Sequence, residues 1–364
     1  ITLPANTEAE AGRLTVSLTT QLSCTADVSL NGTSLGSISL NNKEPLYVFG
    51  TEAHKTYSIN NPDHTANNVT ITVRSGSASE ARLDYVSIAW VKPHALPDLA
   101  TAQLPVPQYV YGITNQDHHA DTNVDMVIII PTSQKLLAQA QRLKEMHELR
   151  DSMTVRIVPA DELYNEFSSG TPDPAAYRNY LKMMYDRAES EAQQPKYLLL
   201  FGDCVWDNRL RTSMCSSLNA DDYLLAYESE DSFDKRSCYV DDGYFCMLDD
   251  GEGLSPLYKD KLDVAVGRIP VSNAVDAENV VSKIINYVAN ANGGAWQNTI
   301  MFMGDDGDGN MHMIDANYVA DKVVSSHPGY VVKKVMWDAY NRVSTASGFT
   351  YPEVTSIIKK QQQQ

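Results

Sequence analysis

The sequence predicts a multidomain β plus α/β protein, an N-terminal β-sandwich or jelly roll followed by a parallel α/β region. Three observations predict it. Up to about residue 92, short period-two apolar runs alternate with turn formers. A proline-punctuated polar stretch follows. From residue 125, short and wholly apolar runs alternate with segments of helical period. A chain of 364 residues is long enough for two or three such cores.

In the first region the apolar runs fall at 14–18, 28–30, 37–40, 46–49, 69–73 and 83–90. Asn31-Gly32, Gly36, Asn41-Asn42, Asn60-Asn61-Pro62 and Ser75-Gly76-Ser77 separate them. Strands broken by such turn formers build a sandwich. A structural or docking role is expected for it. Pro93, Pro97, Pro105 and Pro107 then fix φ and withhold backbone donors, which predicts a semi-rigid tether over 93–124.

Residues 127–130 read as a strand buried on both faces. Leu136, Ala140, Leu143 and Met146 recur at helical spacing, and 155–158 is the next strand. Residues 174–187 predict a helix with Asp173 as N-cap and Pro174 in its first turn. Further strands are expected at 197–201, 262–266, 299–303 and 331–336. Helices are expected at 276–287, 311–324 and 351–360, the last capped by Thr350. Strand–helix alternation implies parallel pairing, with chemistry at the carboxyl ends of the strands. A parallel sheet would continue beyond the last helix, so the α/β region is expected to be C-terminally incomplete at the Gln361–Gln364 run, to which no function is assigned.

Composition narrows the function. Apolar residues make up 43% and charged residues 21%, and no apolar run is long enough to span a bilayer. The opening ITLPANTEAE has neither a basic n-region nor an apolar h-region, so no signal peptide is expected within this sequence. The net charge of −17 leaves no basic footprint for nucleic acid. Residues 1–92 hold 8 acids and 6 bases, so −15 of that charge lies downstream, largely in Asp clusters suited to hard cations. Cys24, Cys204, Cys215, Cys238 and Cys246 make an odd, sparse set without CxxC spacing, which is neither a disulfide framework nor a zinc site.

Several segments carry more than periodicity. Residues 164–173 read Tyr-Asn-Glu-Phe-Ser-Ser-Gly-Thr-Pro-Asp, followed by Ala176-Tyr177-Arg178. Residues 197–203 read Tyr-Leu-Leu-Leu-Phe-Gly-Asp and continue to Asp207-Asn208-Arg209. Residues 239–245 read Tyr-Val-Asp-Asp-Gly-Tyr-Phe, with Leu248-Asp249-Asp250-Gly251 beyond. Residues 263–271 read Asp-Val-Ala-Val-Gly-Arg-Ile-Pro-Val, and Gly304-Asp305-Asp306-Gly307-Asp308 follows an apolar strand. With these motifs, residues 109–364 resemble the gingipain-type cysteine peptidases, in particular their type IX secretion sortases. In the sandwich, Leu83-Asp84-Tyr85 is the one local match.

The resemblance implies a caspase/gingipain-like α/β domain, with 1–92 as sandwich, 93–124 as linker, 125–290 as subdomain A and 291–364 as the start of a truncated subdomain B. It implies a bacterial cell-surface, outer-membrane-associated cysteine endopeptidase with structural calcium. The expected partners are the C-terminal sorting domains of type IX cargo, anionic lipopolysaccharide as acceptor of the new carboxyl end, and other secretion components. The chemistry would be acyl transfer through a thioester, from a thiolate with a His base. The family's His lies in a Gly-His-Gly turn and its Cys after a later strand. Both are expected beyond Gln364, so the chain by itself is expected to be inactive. The rival expectation is a non-catalytic module that docks cargo or glycan.

Individual residues follow from the same resemblance. Asp306 is the candidate acid that orients the catalytic His, with Asp305 adjacent in register. His312 stands near an acidic pocket residue of the arginine-specific members and, being unable to pair with a substrate Arg at neutral pH, argues against strict Arg specificity. Asp241, Asp242, Asp305 and Asp308 are the candidate metal ligands. The run 305–310 has the oxygens and glycines of a calcium loop but not the length or terminal Glu of an EF-hand. Asp249 and Asp250 extend the cluster at 241–242. Cys204 sits where a nucleophile could sit, yet is read as a small buried hydrophobe. Cys238 and Cys246 are read as structural thiols, and Arg268 either braces loops or pairs with one of these carboxylates.

Overall fold

The computed structural model describes residues 1–41, 50–60, 62–63, 66–75, 81–91, 100, 103, 105–108, 115–122, 124–229, 238–253 and 259–362. The chain divides into two compact units, Ile1–Glu278 and Asn279–Gln364.

The first unit opens with seven antiparallel strands: β1 (Thr2–Leu3), β2 (Ala11–Thr20), β3 (Cys24–Leu30), β4 (Thr33–Leu40), β5 (Thr51–Ile59), β6 (Asn67–Ser75) and β7 (Ala81–Val91). They form two sheets, β1-β6-β3-β4 and β5-β2-β7. Leu14, Val16 and Leu18 from one sheet and Ala26, Val28 and Leu30 from the other share a single buried cluster, so the sheets face each other as a sandwich. The period-two runs therefore mark the inner face, as the sequence predicts. Strand β5 has no counterpart in that reading, because only Thr51, Tyr57 and Ile59 of its nine residues are buried and it lies at a sheet edge. The expected strand at 46–49 and the prolines at 93 and 97 lie outside the described residues.

The α/β part of this unit runs β8 (Met126–Ile130), α1 (Leu137–Asp151), β9 (Val155–Pro159), α2 (Ala160–Phe167), α3 (Ala175–Arg187), β10 (Tyr197–Phe201), β11 (Ala265–Ile269) and α4 (Ala274–Val288), within which the unit boundary falls. The sheet order is β11-β10-β8-β9, parallel throughout. All five residues of β8 are buried, which explains its unbroken apolar run. Asp173 accepts from the backbone N–H of Ala175 at 2.8 Å and closes the N-terminus of α3. Tyr177, Tyr180, Leu181 and Met184 of α3 pack with Leu163 of α2 and with Leu198 and Leu200 of β10.

Two differences from the sequence reading have local causes. The strand expected at 262–266 starts three residues later. Asp263 leaves the ladder, its N–H donating to Cys246 O at 2.9 Å and its carboxylate accepting from Leu248 N at 2.6 Å. Pairing then begins at Ala265 opposite Tyr197 and carries through Gly267 and Arg268, whose character hides the strand. Helix α2 is an addition to the predicted elements: Ala160, Leu163 and Tyr164 recur at helical spacing and are buried.

The second unit pairs β12 (Thr299–Gly304) in parallel with β13 (Val331–Met336) and sets α5 (Met311–Ser326) between them in the chain. Gly304 is required by packing, since a Cβ there would come within 2.6 Å of Met313 Cα. A short hairpin, β14 (Val343–Thr345) and β15 (Gly348–Thr350), precedes α6 (Pro352–Gln362). The hairpin was not expected, because all six of its residues are exposed and give no apolar alternation. Thr350, expected as the cap of α6, closes this hairpin opposite Val343.

Candidate functional site

In the first unit, polar groups converge at the carboxyl edge of the parallel sheet. Strand β10 ends in Gly202-Asp203-Cys204, whose first two N–H groups donate to Ile269 O (3.1 Å) and Val271 O (3.0 Å). On the neighbouring strand, Arg268 has a side chain only 10% exposed. Its Nε donates to Asp242 Oδ2 at 2.9 Å and its Nη2 to Asp242 Oδ1 at 2.7 Å. The same guanidinium reaches Gly202 O at 3.1 Å and Leu225 O at 3.4 Å. Burial works against the charge, but the hydrogen bonds and charge of Asp242 outweigh it and hold the guanidinium pKa above its ordinary value. Of the roles open to Arg268, pairing with a carboxylate is the one adopted, and the pair ties three loops to the sheet edge.

Cys204 lies beside this pair and is half-buried. Burial pushes its thiol up, against the pull of the Arg268 charge, while Asp242 and Asp203 push it further. A thiol held protonated at neutral pH is a poor nucleophile. Cys246 is fully buried and pushed by that burial, with Asp263 and Asp242, up to about 12, as befits a structural thiol. Cys238 is exposed and is not packed as one.

The predicted metal ligands fall in two clusters, Asp241 and Asp242 in the first unit and Asp305 and Asp308 in the second. Asp241 spends Oδ1 on the N–H of Gly243 at 2.7 Å, capping the turn Asp242–Cys246. Both oxygens of Asp242 face Arg268. Asp305 and Asp308 lie in the second unit, where both face His312. With both Asp242 oxygens on Arg268 and one Asp241 oxygen on the N–H of Gly243, this pair leaves few of the six to eight oxygens that a calcium ion takes. Among the described residues, the one group of three carboxylates within 4.8 Å of one another is Asp249, Glu252 and Asp263. Asp263 there accepts from Leu248 N at 2.6 Å and Asp249 from Tyr185 OH at 3.2 Å.

A further cluster was not singled out in the sequence. His118 places Nδ1 2.8 Å from Asp121 Oδ2 and Nε2 2.7 Å from Glu162 Oε2. Burial lowers the ring's pKa, but a carboxylate acceptor at each ring nitrogen outweighs it and favours the imidazolium. Asp121 also accepts from Tyr180 OH (2.8 Å) and pairs with Arg156 Nη1 (2.6 Å). Glu166, one turn beyond Glu162, accepts from the N–H of His118 (2.9 Å), from Gln116 Nε2 (2.7 Å) and from His119. The signal available in the sequence was Glu162 and Glu166 at i and i+4 on one helix face, facing a His-His pair in the connector.

In the second unit, β12 delivers Asp305 and Asp306 to its carboxyl end, and they diverge. Asp305 Oδ1 meets His312 Nδ1 at 2.5 Å, and Asp308 Oδ2 stands 3.6 Å from Nε2. The Asp305 hydrogen bond and charge raise the His312 pKa, against slight desolvation. Asp306 Oδ2 instead accepts from Tyr351 OH and lies 3.6 Å from Arg342 Nη1. Within this unit Asp305 orients His312, while the carboxylate of Asp306 is engaged by Tyr351, just before α6, and by Arg342, just before β14.

The sequence profile of Peptidase family C25 matches residues 119–364. The fold is similar to that of the dimeric latent PorU from Porphyromonas gingivalis, with a TM-score of 0.54 and 20% identity over 82% of this chain. The chain spans 36% of the length of that protein. An acetyl xylan esterase (Est2A) from the rumen bacterium Butyrivibrio proteoclasticus aligns over 96% of this chain and 82% of its own, at 9% identity and a TM-score of 0.16, too low to carry an argument. No curated protein matches the sequence.

Proposed function

The chain belongs to peptidase family C25, and on that premise we propose that it is part of a PorU-like cysteine endopeptidase and sortase at the bacterial cell surface. The observation that carries this reading is the continuous family match over residues 119–364. On this reading the enzyme removes the C-terminal sorting domains of type IX secretion cargo. A cysteine thiolate attacks the carbonyl at the sorting-domain junction, the thioester forms, and the amine leaves with a proton from a histidine. Water or an acceptor on anionic lipopolysaccharide then resolves the thioester.

On this reading Cys204, half-buried and with its thiol pKa pushed up by burial, is not the nucleophile, and the nucleophile and its base are supplied from outside residues 1–364. On that reading, this stretch contributes scaffold, with Arg268 and Asp242 bracing the loops of one sheet edge and Asp305 and Asp306 organising that of the other. The test is intact-mass detection of cleavage of a cargo protein that bears its sorting domain. A C-terminally extended chain is expected to cleave it and residues 1–364 alone are not. Cleavage by residues 1–364 that disappears in Cys204→Ala would overturn the assignment.

A further inference from the structure

The parallel sheet reverses its winding direction between β8 and β10. From β8 the chain passes through α1 to β9 on one side, and from β10 it passes to β11 on the other. At such a point the two carboxyl ends part and open a crevice, which is the usual ligand position in open α/β sheets. A cavity of ≈ 120 Å³ occupies this crevice. Thr132, just past β8, and Val205, just past β10, line it together with Tyr164 of α2 and with Asp221 and Tyr223.

The crevice is built rather than incidental. The loop carrying Asp221 and Tyr223 is fixed by Leu224 N donating to Asp203 O (2.8 Å) and Ser133 N donating to Asp221 O (2.8 Å). Lys135 also ties Asp222 to the far side at 2.7 Å. Gly202 lets the walls approach, since a Cβ there would lie 2.8 Å from Pro131 Cγ and 3.0 Å from Leu224 Cγ.

Its chemistry is one-sided. The Tyr164 hydroxyl is taken by Tyr177 OH at 2.5 Å. The Asn208 amide is spent on both backbone groups of Ala226. Asp221 is the charged group of the lining, and among the described residues no cation pairs with its carboxylate. Asp161, in the first turn of α2, is close enough to Asp221 for the two charges to interact, and its Oδ1 is buried without a hydrogen-bond partner. The nearby Lys135 is committed to Asp222. An apolar, aromatic-walled cavity thus carries the solvent-exposed carboxylate of Asp221 at its rim.

We propose that this crevice binds a primary ammonium group on a short apolar stem, with Asp221 accepting from the ammonium and Tyr164, Tyr223 and Val205 enclosing the stem. The size agrees, because a dry cavity of about 150 Å³ takes one benzene, so this one suits a stem of about four carbons. Both a free alkylamine and a peptide lysine offer that chemistry. The inference does not depend on the peptidase reading.

The test is saturation-transfer NMR on the full 364-residue chain at pH 7 with n-butylammonium, its neutral counterpart n-butanol, and Nα-acetyl-lysine N-methylamide. Butylammonium is expected to bind with a Kd on the order of 1 mM. Butanol is expected to bind at least fivefold more weakly, a comparison that needs no variant. Asp221→Asn should weaken butylammonium fivefold, and Val205→Phe, which fills the cavity, should abolish binding. Tighter binding of the lysine derivative assigns the site to a peptide side chain, and its exclusion assigns it to a free amine. Equal binding of butanol and butylammonium, indifference to Asp221→Asn, or no binding of any probe overturns the proposal.

Discussion

Arg268 and Asp242 meet at two points, Nε to Oδ2 at 2.9 Å and Nη2 to Oδ1 at 2.7 Å, while the same guanidinium holds the carbonyls of Gly202 and Leu225. Because Arg268 is almost wholly buried, removing its partner strands a charge. Asp242→Asn is expected to cost about 3–5 kcal/mol of stability in urea denaturation. Arg268→Lys should cost a similar amount, since an ammonium cannot fork to a carboxylate and two carbonyls at once. A loss below about 1 kcal/mol for either would show the pair to be an ordinary surface contact.

The connector around His118 should be held within a pH window. Burial lowers the His118 pKa, but the hydrogen bonds and charges of Asp121 and Glu162 outweigh it and raise the net value. A raised histidine contributes stability that is complete below its unfolded pKa and lost as pH rises through the folded one. Burial likewise opposes the charge of Glu166, yet the N–H of His118, Gln116 and His119 hold it at about 2. Its contribution is present above the ordinary carboxylate range and fades as pH falls toward that value. Protection factors of the amides at 115–121 should therefore be highest near pH 5–6 and fall on both sides. In His118→Gln the alkaline fall should vanish and the acid fall remain. A flat alkaline profile in the unmodified protein would rule out a stabilising charge on His118.

Asp305 and Asp306 make different predictions for one observable. Asp305→Asn should return the His312 titration toward the ordinary histidine range, because Asp305 supplies the largest upward contribution. Asp306→Asn should leave it unchanged, since that carboxylate faces Tyr351 and Arg342. Histidine ring-proton shifts against pH check both. A large shift from Asp306→Asn alone would show that its carboxylate, and not that of Asp305, faces His312.

Thiol reactivity should follow burial and charge environment. Cys238 is exposed and Cys204 half-buried, whereas Cys24, Cys215 and Cys246 are buried. One thiol, Cys238, is expected to react rapidly with a chromogenic disulfide near pH 7.5, with Cys204 at least tenfold slower and the other three silent until unfolding. Preferential modification of Cys204 would contradict its raised pKa.

Much of the scaffold was legible because its residues have one overriding demand. The wholly buried β8 and the capped α3 can be read from apolar runs and from Asp173 alone. Strand β11 lies later than its apolar run suggests because Gly267 and Arg268 look foreign to a strand, yet Arg268 is there to reach Asp242. Side-chain direction was the harder quantity. Asp305 and Asp306 are neighbours in sequence, and residues that leave a strand one after the other point opposite ways. Their partners, His312 and Tyr351, are thus decided by a single residue of register. The His118 network draws on groups more than forty residues apart, which no local pattern links. The cavity at Asp221 depends on a loop folding back over a sheet edge, a tertiary event without a signature in composition.

The most direct measurement for the peptidase assignment is intact mass after treatment with a cysteine-directed peptidyl inhibitor, on residues 1–364 and on a C-terminally extended chain, both carrying Cys238→Ser to remove the exposed thiol. The account predicts one adduct on the extended chain and none on residues 1–364. An adduct that maps to Cys204, or no adduct on either chain, would contradict it.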